Sequence, residues 1–234
     1  MVELIYCAGG NRRFDEIAKD AGFLLGAQLP KAKVYFPIHF ADQNWKNPDM
    51  RQYMDALAQH RPYMASVIDL EKQGQLHDVL SWAEEAAQWV SVVMIIPKVF
   101  GIIPRLPRRI AGAEVRLGYS VPTSHGGTEV PVWEFDGWPV HLLGGSPQAQ
   151  MRLTHYLRVT SVDGNMANKM ATSRCQFWVP GNAKAKDRYW PTLSEADGKR
   201  WEADAPYEAF RRSCVNIVEA WRKCANGSAR RQHE

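Results

Sequence analysis

Residues 140–165 read VHLLGGSPQAQMRLTHYLRVTSVDGN and contain the clearest structural pattern in the chain. A mostly apolar run ends in a glycine pair and is followed by Ser146-Pro147, residue types that favour the N-cap and the first turn of a helix. A helical segment then leads to a second apolar run, which ends at Asp163. Apolar runs that do not alternate with polar residues are typical of strands buried on both faces, as in parallel sheets. The stretch therefore predicts a strand–helix–strand unit with parallel strands.

The same kind of unit recurs along the chain. Further apolar runs that end in a polar or glycine turn cover residues 4–8, 34–40, 64–68, 90–96 and 115–119, with 175–179 as an eighth candidate. Seven or eight such units predict an α/β fold, a compact (β/α)8 barrel of the TIM type. A doubly wound open sheet is the competing arrangement, and the number of units favours the barrel.

The length and the pattern predict a single domain over residues 1–234. Residues 180–205 are rich in charge, Trp and Pro and are predicted to form an irregular excursion. An apolar stripe within 206–224 predicts a closing helix that packs on the barrel. Residues 225–234 are predicted to be a flexible basic tail.

Composition excludes several classes of protein. The chain has 234 residues, of which 45% are apolar and 23% charged, so disorder, collagen and coiled coil do not describe it. Its apolar runs are shorter than the roughly 18 residues that span a bilayer, and residues 1–6 lack the basic start of a signal peptide. The four cysteines form no CxxC pair. These features predict a cytoplasmic protein with no membrane partner.

The net charge of +4 is consistent with a nucleic-acid partner and does not require one. The cations are clustered, and the alternative for each cluster is an ordinary solvated surface. The two clusters comprise Lys98, Arg105, Arg108, Arg109 and Arg116, and then Arg222, Lys223, Arg230 and Arg231.

Three carboxylates follow predicted strands: Asp42, Asp69 and Asp163. In a (β/α)8 barrel the catalytic residues lie at the carboxyl ends of the strands, so the three are expected to converge on one mouth. Mutual repulsion there would raise the pKa of at least one of them, which suits general acid–base catalysis. The alternative for each is a helix cap or a turn residue.

Other candidates follow strands in the same way. The turn Gly144-Gly145-Ser146 could bind an anion through its backbone N–H groups, or be no more than a tight turn with a good cap. Lys98 follows a buried strand and is expected to face the mouth, with solvation at the surface as the alternative. His141 lies within an apolar run and is predicted to be a core histidine. No histidine or cysteine spacing indicates a metal site, so no metal is predicted.

The order of these motifs resembles the tRNA-guanine transglycosylase superfamily, and within it the short phage and bacterial DpdA-like enzymes that insert 7-deazaguanines into DNA. The segment 161–165 looks like the family's nucleophile segment, and 140–147 resembles the strand and glycine turn before it. The zinc-binding cysteine cluster of the tRNA enzymes is absent from the sequence, which favours DNA over tRNA as the substrate. The remaining matching segments are 42–44, 65–69, 92–98 and 117–120.

The resemblance implies a mechanism and its residues. Asp163 would be the nucleophile that displaces guanine from the sugar, and Asp42 would move the proton. The incoming base would be a 7-deazaguanine such as 7-cyano-7-deazaguanine, without any cofactor. A further protein partner is left open, and a phage-encoded chain would act in the host cytoplasm. The substrate-binding set implied by position is Asp69, Lys98, Gly118, Tyr119, Ser120, Gly144, Gly145, Ser146 and Asn165.

Two other classes of function stay open from the sequence. One is a barrel hydrolase or lyase for a small phosphorylated metabolite, with Lys98 and the glycine turn on the phosphate. The other is a non-catalytic DNA-binding module built on the barrel.

Overall fold

The computed structural model describes residues 2–7, 10–123, 126–181 and 190–230. Its centre is a closed barrel of eight parallel strands, and one further short strand is antiparallel to the barrel. The strands are β1 Glu3–Tyr6, β2 Leu24–Leu29, β3 Phe40–Gln43, β4 Met64–Ser66, β5 Val92–Ile95, β6 Arg109–Ile110, β7 Ala113–Ser120, β8 Val140–Leu143 and β9 Val159–Gly164.

The sheet closes because β5 pairs directly with β7 and leaves β6 outside the ring. At the opposite side β1 lies between β2 and β9, with Ile5 opposite both Leu24 and Asp163. This closed parallel sheet with helices between its strands confirms the (β/α)8 prediction over the open sheet.

The helices begin where the sequence supplies caps. Asp49 accepts a hydrogen bond from the backbone N–H of Gln52 at 2.9 Å, and Ser146 accepts one from Ala149 at 3.3 Å. The helices are α1 Arg12–Asp20, α2 Met50–His60, α3 Leu76–Ala86, α4 Pro147–Leu153, α5 Met166–Arg174, α6 Leu193–Asp197 and α7 Ala205–Arg230.

The sequence pattern did not predict one barrel strand. The strand that it lacked is β2, whose residues LLGAQL contain a glycine and a glutamine that dilute the apolar run. A side chain at Gly26 would be crowded, since a Cβ atom would lie 3.1 Å from the Ile5 side chain on the neighbouring strand β1. The candidate run 175–179 is not a strand, and of the run 34–40 only Phe40 belongs to β3.

The region after the barrel also differs from its prediction. The excursion predicted over 180–205 contains the short helix α6, and residues 182–189 lie outside the described part of the chain. The closing helix α7 continues to Arg230, past the predicted end at 224. Residues 231–234 of the predicted tail are likewise outside the description. Helix α7 packs on α5, α1 and α4, so it covers the side of the barrel where β1 meets β9.

The barrel interior has an apolar part and a polar part. The apolar part is a cluster of fully or nearly fully buried side chains: Ile5, Phe40, Met64, Val92, Met94 and Ile96. The polar part contains Arg116, which is buried inside the barrel, so neither interpretation of its cluster, polyanion binding or solvated surface, applies to this residue. In the described residues no helix is both long and apolar enough to cross a bilayer.

Candidate active site at the barrel mouth

The carboxyl ends of the barrel strands surround an open cavity of about 470 Å³. Its described lining includes one cation, Lys98, and an exposed rim aromatic, Trp45, which is 62% exposed. The rest of the described lining mixes polar side chains with apolar side chains and glycines. The carboxylates that line the cavity are Asp42, Asp69, Glu71 and Asp163. The three aspartates expected to converge therefore do so, and Glu71 joins them.

Asp42 lies in β3, two residues after the buried Phe40. The Ser66 hydroxyl donates to its Oδ1 at 3.0 Å, and the same hydroxyl oxygen accepts the Gln43 backbone N–H at 2.7 Å. Burial raises the pKa of Asp42 to about 7, with a further contribution from the charge of Asp163; the hydrogen bond from Ser66 opposes the shift. Asp42 is therefore a carboxyl that can both give and take a proton near neutral pH.

Asp163 lies in β9, and its side chain is 12% exposed. Its Oδ1 accepts the Gly144 backbone N–H at 3.1 Å and lies 3.4 Å from Nε2 of His141. The Gln150 side-chain amide donates at 2.7 Å to the backbone carbonyls of both Gly144 and Asp163. Strand β9 and the glycine turn are thus linked twice, by the Gly144 N–H on the Asp163 carboxylate and by the Gln150 amide on both backbone carbonyls.

The glycine turn depends on the absence of side chains. Gly144 and Gly145 have φ values of +65° and +81°, a region that other residues rarely adopt. A Cβ atom on Gly145 would lie 2.6 Å from a methyl carbon of Val121. In the described structure this turn directs the Gly144 N–H to the Asp163 carboxylate, so it contributes to the site without any bound anion.

A second group of polar side chains faces Asp42 and Asp163 across the cavity. The Lys98 ammonium donates to the Ser120 hydroxyl at 2.9 Å and lies 3.6 Å from Oδ2 of Asp69. Burial raises the pKa of Asp69, and the adjacent Lys98 charge opposes that shift. A backbone hydrogen bond joins the segments that follow β4 and β5, since the Lys98 N–H donates to the Leu70 carbonyl at 2.9 Å.

Four predicted contacts lie away from the cavity. Gly118 packs inside the barrel, where a Cβ atom would lie 2.7 Å from Ile96. Tyr119 points to the outer layer and packs edge-on against Phe135 at a ring distance of 5.2 Å. Ser146 caps α4, and Asn165 is exposed before α5. Side chains alternate along a strand, so Ser120 faces the mouth and its neighbour Tyr119 cannot.

Sequence reasoning missed three groups at the site. Ser66 and Glu71 were not singled out, and His141 was assigned to the core alone. His141 is fully buried and also touches Asp163. The available signal was a polar residue within an apolar strand, since Ser66 and His141 both interrupt such runs. Cys7 lies close to both aspartates: burial first, and then the Asp163 and Asp42 charges, raise the pKa of its thiol.

The arrangement suits proton transfer combined with nucleophilic attack. Two carboxylates share one cavity, and their surroundings differ, which is how enzymes divide acid and nucleophile roles between like residues. In the described ranges, no cluster of three or more His, Cys, Asp or Glu residues is placed to hold a metal ion.

Comparison with known proteins adds a family but no activity. The model of a family of unknown function, DUF6610, matches residues 18–222. No curated protein matches the sequence. Among solved structures the chain is similar to the YdjI aldolase from Escherichia coli K12, with 9% identity and a TM-score of 0.40 over 93% of this chain and 90% of that one. A likeness at this level carries no argument about chemistry.

Proposed function

The chain belongs to the DUF6610 family, whose function is unknown, and we propose that it is a glycosyl-transferring enzyme that exchanges guanine in a nucleic acid for a 7-deazaguanine. The observation that carries the proposal is the pair of carboxylates in one cavity. Asp42 has a pKa raised to about 7, while Asp163 has one oxygen held by the Gly144 N–H. The motif order described above supplies the substrate class.

In the first half-reaction Asp163 attacks C1′ of the guanosine nucleotide. A bond forms between its carboxylate oxygen and C1′, and the C1′–N9 bond breaks with its electron pair left on the base. Protonated Asp42 donates a proton to the departing guanine, which leaves neutral. A covalent sugar–aspartate ester remains, as in glycosyl transfer with retention.

The second half-reaction reverses these events with a different base. Asp42, now a carboxylate, takes the N9 proton of the incoming 7-deazaguanine. N9 attacks C1′, and the bond to Asp163 breaks with its electron pair returned to the carboxylate. The net reaction consumes no proton and needs neither an oxidant nor a reductant.

The charges of the cavity favour a neutral base over a phosphorylated metabolite. Its described lining carries four carboxylates and one ammonium, and that ammonium already contacts Asp69 and Ser120. A dianionic phosphate would be repelled there. Guanine presents an N1–H and an amino group, and a carboxylate such as Asp69 can accept hydrogen bonds from both. A polymer substrate would keep its phosphates at the rim, with the target nucleotide turned out of the stack.

The test is guanine exchange. Purified protein is incubated with duplex DNA, single-stranded DNA or tRNA in the presence of radiolabelled guanine, which any guanine transglycosylase should incorporate whatever its natural deazaguanine. A parallel incubation contains 7-cyano-7-deazaguanine in place of guanine. We expect labelled guanine to enter one polymer, and the digest of that polymer from the parallel incubation to contain the 7-cyano-7-deazaguanine nucleoside by mass spectrometry. No incorporation into any polymer would overturn the proposal.

Two variants control the assay. Asp163→Asn keeps the shape of the side chain and removes the nucleophile, so it should incorporate nothing. Asp136→Asn changes an exposed aspartate outside the cavity and should match the parent protein. Equal incorporation by both variants would show that the label enters by another route.

A further inference from the structure

A row of buried polar side chains lies inside the barrel beneath the nucleophile. Nη1 of Arg116 donates at 2.8 Å both to Oε2 of Glu3 and to the Ser161 hydroxyl oxygen. The Ser161 oxygen lies 2.7 Å from Nδ1 of His141, whose Nε2 lies 3.4 Å from Oδ1 of Asp163. Ser161 and His141 have no exposed surface, and Arg116 is buried. Among the described contacts, Arg116, Ser161 and His141 therefore link Glu3 to Asp163, and Glu3 also lies 3.5 Å from Nε2 of His39.

The donors and acceptors fix the direction of this row. An arginine can only donate, so the Ser161 oxygen must accept from Arg116. The Ser161 hydroxyl then has its own proton to give, and Nδ1 of His141 is the acceptor that faces it in the described structure. Nδ1 is consequently the nitrogen without a proton. A neutral imidazole carries its proton on the other nitrogen, and Nε2–H therefore faces Asp163.

The proton on Nε2 of His141 determines which oxygen of Asp163 has no hydrogen-bond donor among the described contacts. Oδ1 of Asp163 is approached by two donors, the Gly144 N–H and His141 Nε2–H. Among the described contacts no donor reaches Oδ2. A carboxylate held through one oxygen by two donors has a fixed plane, and its second oxygen is available to react.

We propose that Arg116 and Ser161 fix His141 as its Nε2–H tautomer, and that His141 is a positioning residue that orients Asp163 so that Oδ2 faces the substrate. The tautomer is a property of the free protein. The role in catalysis rests on the proposed function. His141 acts through the carboxylate and does not touch the reacting carbon.

The direct test is an NMR measurement that needs no substrate. Protein labelled with the heavy nitrogen isotope in histidine is recorded in a long-range nitrogen–proton correlation spectrum, and the His141→Gln variant identifies the ring by its missing signals. We expect a protonated Nε2 and an unprotonated Nδ1 at neutral pH. The opposite tautomer, or a ring with both nitrogens protonated, would overturn the proposal.

Variants at position 161 test the cause. Ser161→Ala removes the donor to Nδ1, so the His141 ring should become a mixture of tautomers. Ser161→Thr retains the hydroxyl, so His141 should keep the parent tautomer. An unchanged tautomer in Ser161→Ala would refute the role of Ser161. Thermal melts establish that both variants are folded, and a Thr variant that fails to fold is replaced by Ser161→Cys, whose thiol is a weak donor.

Exchange kinetics then test the consequence. If guanine exchange is the activity, Ser161→Ala should lower kcat about tenfold with little change in KM, and Thr should restore it. Unchanged kcat in a variant with mixed tautomers would refute the positioning role. Absence of exchange in the parent protein together with the expected tautomer would remove the proposed function and leave the hydrogen-bond assignment intact.

Discussion

The two sides of the barrel interior are built from different chemistry. The apolar side comprises Phe40, Met64, Val92 and Met94, from β3, β4 and β5, together with Ile96 after β5 and Ile5 of β1. The polar side comprises Glu3, Arg116, His141 and Ser161, from β1, β7, β8 and β9. Each side ends at the mouth in an aspartate: Asp42 lies two residues beyond Phe40, and Asp163 two residues beyond Ser161. One aspartate therefore lies above apolar side chains, and the other lies above hydrogen-bonded polar side chains.

Apolar packing excludes water but has no preferred direction, whereas hydrogen bonds are directional. Asp42, above the apolar side, gains a raised pKa from burial. Asp163, above the polar side, gains donors at one defined oxygen. Under the proposed function, this difference would let one cavity hold both a proton-transfer group and an oriented nucleophile. The ring of Phe40, 5.1 Å from that of His141, is where the two sides meet.

The largest expected effect is at the top of the polar side. Asp163→Asn removes the nucleophile and should lower kcat/KM for guanine exchange by about 10⁴-fold, or roughly 5.5 kcal/mol of transition-state stabilisation. Initial rates with excess enzyme measure it, and an acid-quenched gel should show a protein–polymer adduct only with the parent protein. A variant that keeps a tenth of the parent rate would exclude Asp163 as the nucleophile.

Substitutions on the apolar side should change the free energy of unfolding and leave the exchange rate nearly unchanged. Met64→Ala leaves a cavity among fully buried neighbours and should lower the free energy of unfolding by about 2–5 kcal/mol. Met64→Leu nearly conserves the volume and should cost less than about 1.5 kcal/mol. Urea unfolding measures both. The exchange rate per folded molecule should stay within about twofold of the parent, and a larger loss in either variant would contradict the division between the two sides.

Burial of Asp42 should make the free energy of unfolding depend on pH. Its pKa is about 7 in the folded chain against 3.8 for the unperturbed group, so between these values the folded state retains a proton that the unfolded state has lost. The free energy of unfolding should therefore fall as pH rises from about 4 to about 7.

Asp42→Asn should remove this slope and gain roughly 2 kcal/mol at pH 8 relative to the parent. Exchange should fall by about 10²-fold or more, since the proton carrier is lost. Urea titrations at pH 5 and pH 8 decide the matter, with Asp136→Asn as the matched control. A variant no more stable than the parent at pH 8 would indicate that burial does not raise the pKa of Asp42.

The smallest effect is expected where the cavity is most open. Lys98→Met removes an ammonium that pairs at 3.6 Å with Asp69, and the Lys98 side chain is 21% exposed. The pair lines an open cavity that water can enter, so the free energy of unfolding should change by only about 1 kcal/mol. The pKa of Asp69 should rise, because the opposing charge is gone. Carboxyl NMR titration measures it, and an unchanged pKa would show that Lys98 does not act on Asp69.

Much of the fold followed from the sequence because buried parallel strands are continuous apolar runs. Val140–Leu143 was located to the residue for this reason. Strand β2 was missed because Gly26 and Gln28 interrupt its apolar run, and the close approach of Ile5 to Gly26 is not visible in the local pattern. The convergence of the three aspartates was likewise predictable from the barrel rule.

The rest of the site depends on distant pairing. Ser66 lies 24 residues from Asp42, and Arg116 lies 113 residues from Glu3. No local spacing encodes these contacts. Side-chain alternation could have excluded Tyr119 once Ser120 was placed at the mouth, but the phase of that alternation requires the strand register.

The pairing of β1 with β9 brings Ile5 beside Asp163, across more than half of the chain. During synthesis the strand with Asp42 is made long before the strand with the nucleophile, and the two carboxylates come to share a cavity only when this seam closes. An unfinished chain therefore holds no assembled site. The cavity that holds both carboxylates is therefore assembled only when β9 pairs with β1 and closes the ring.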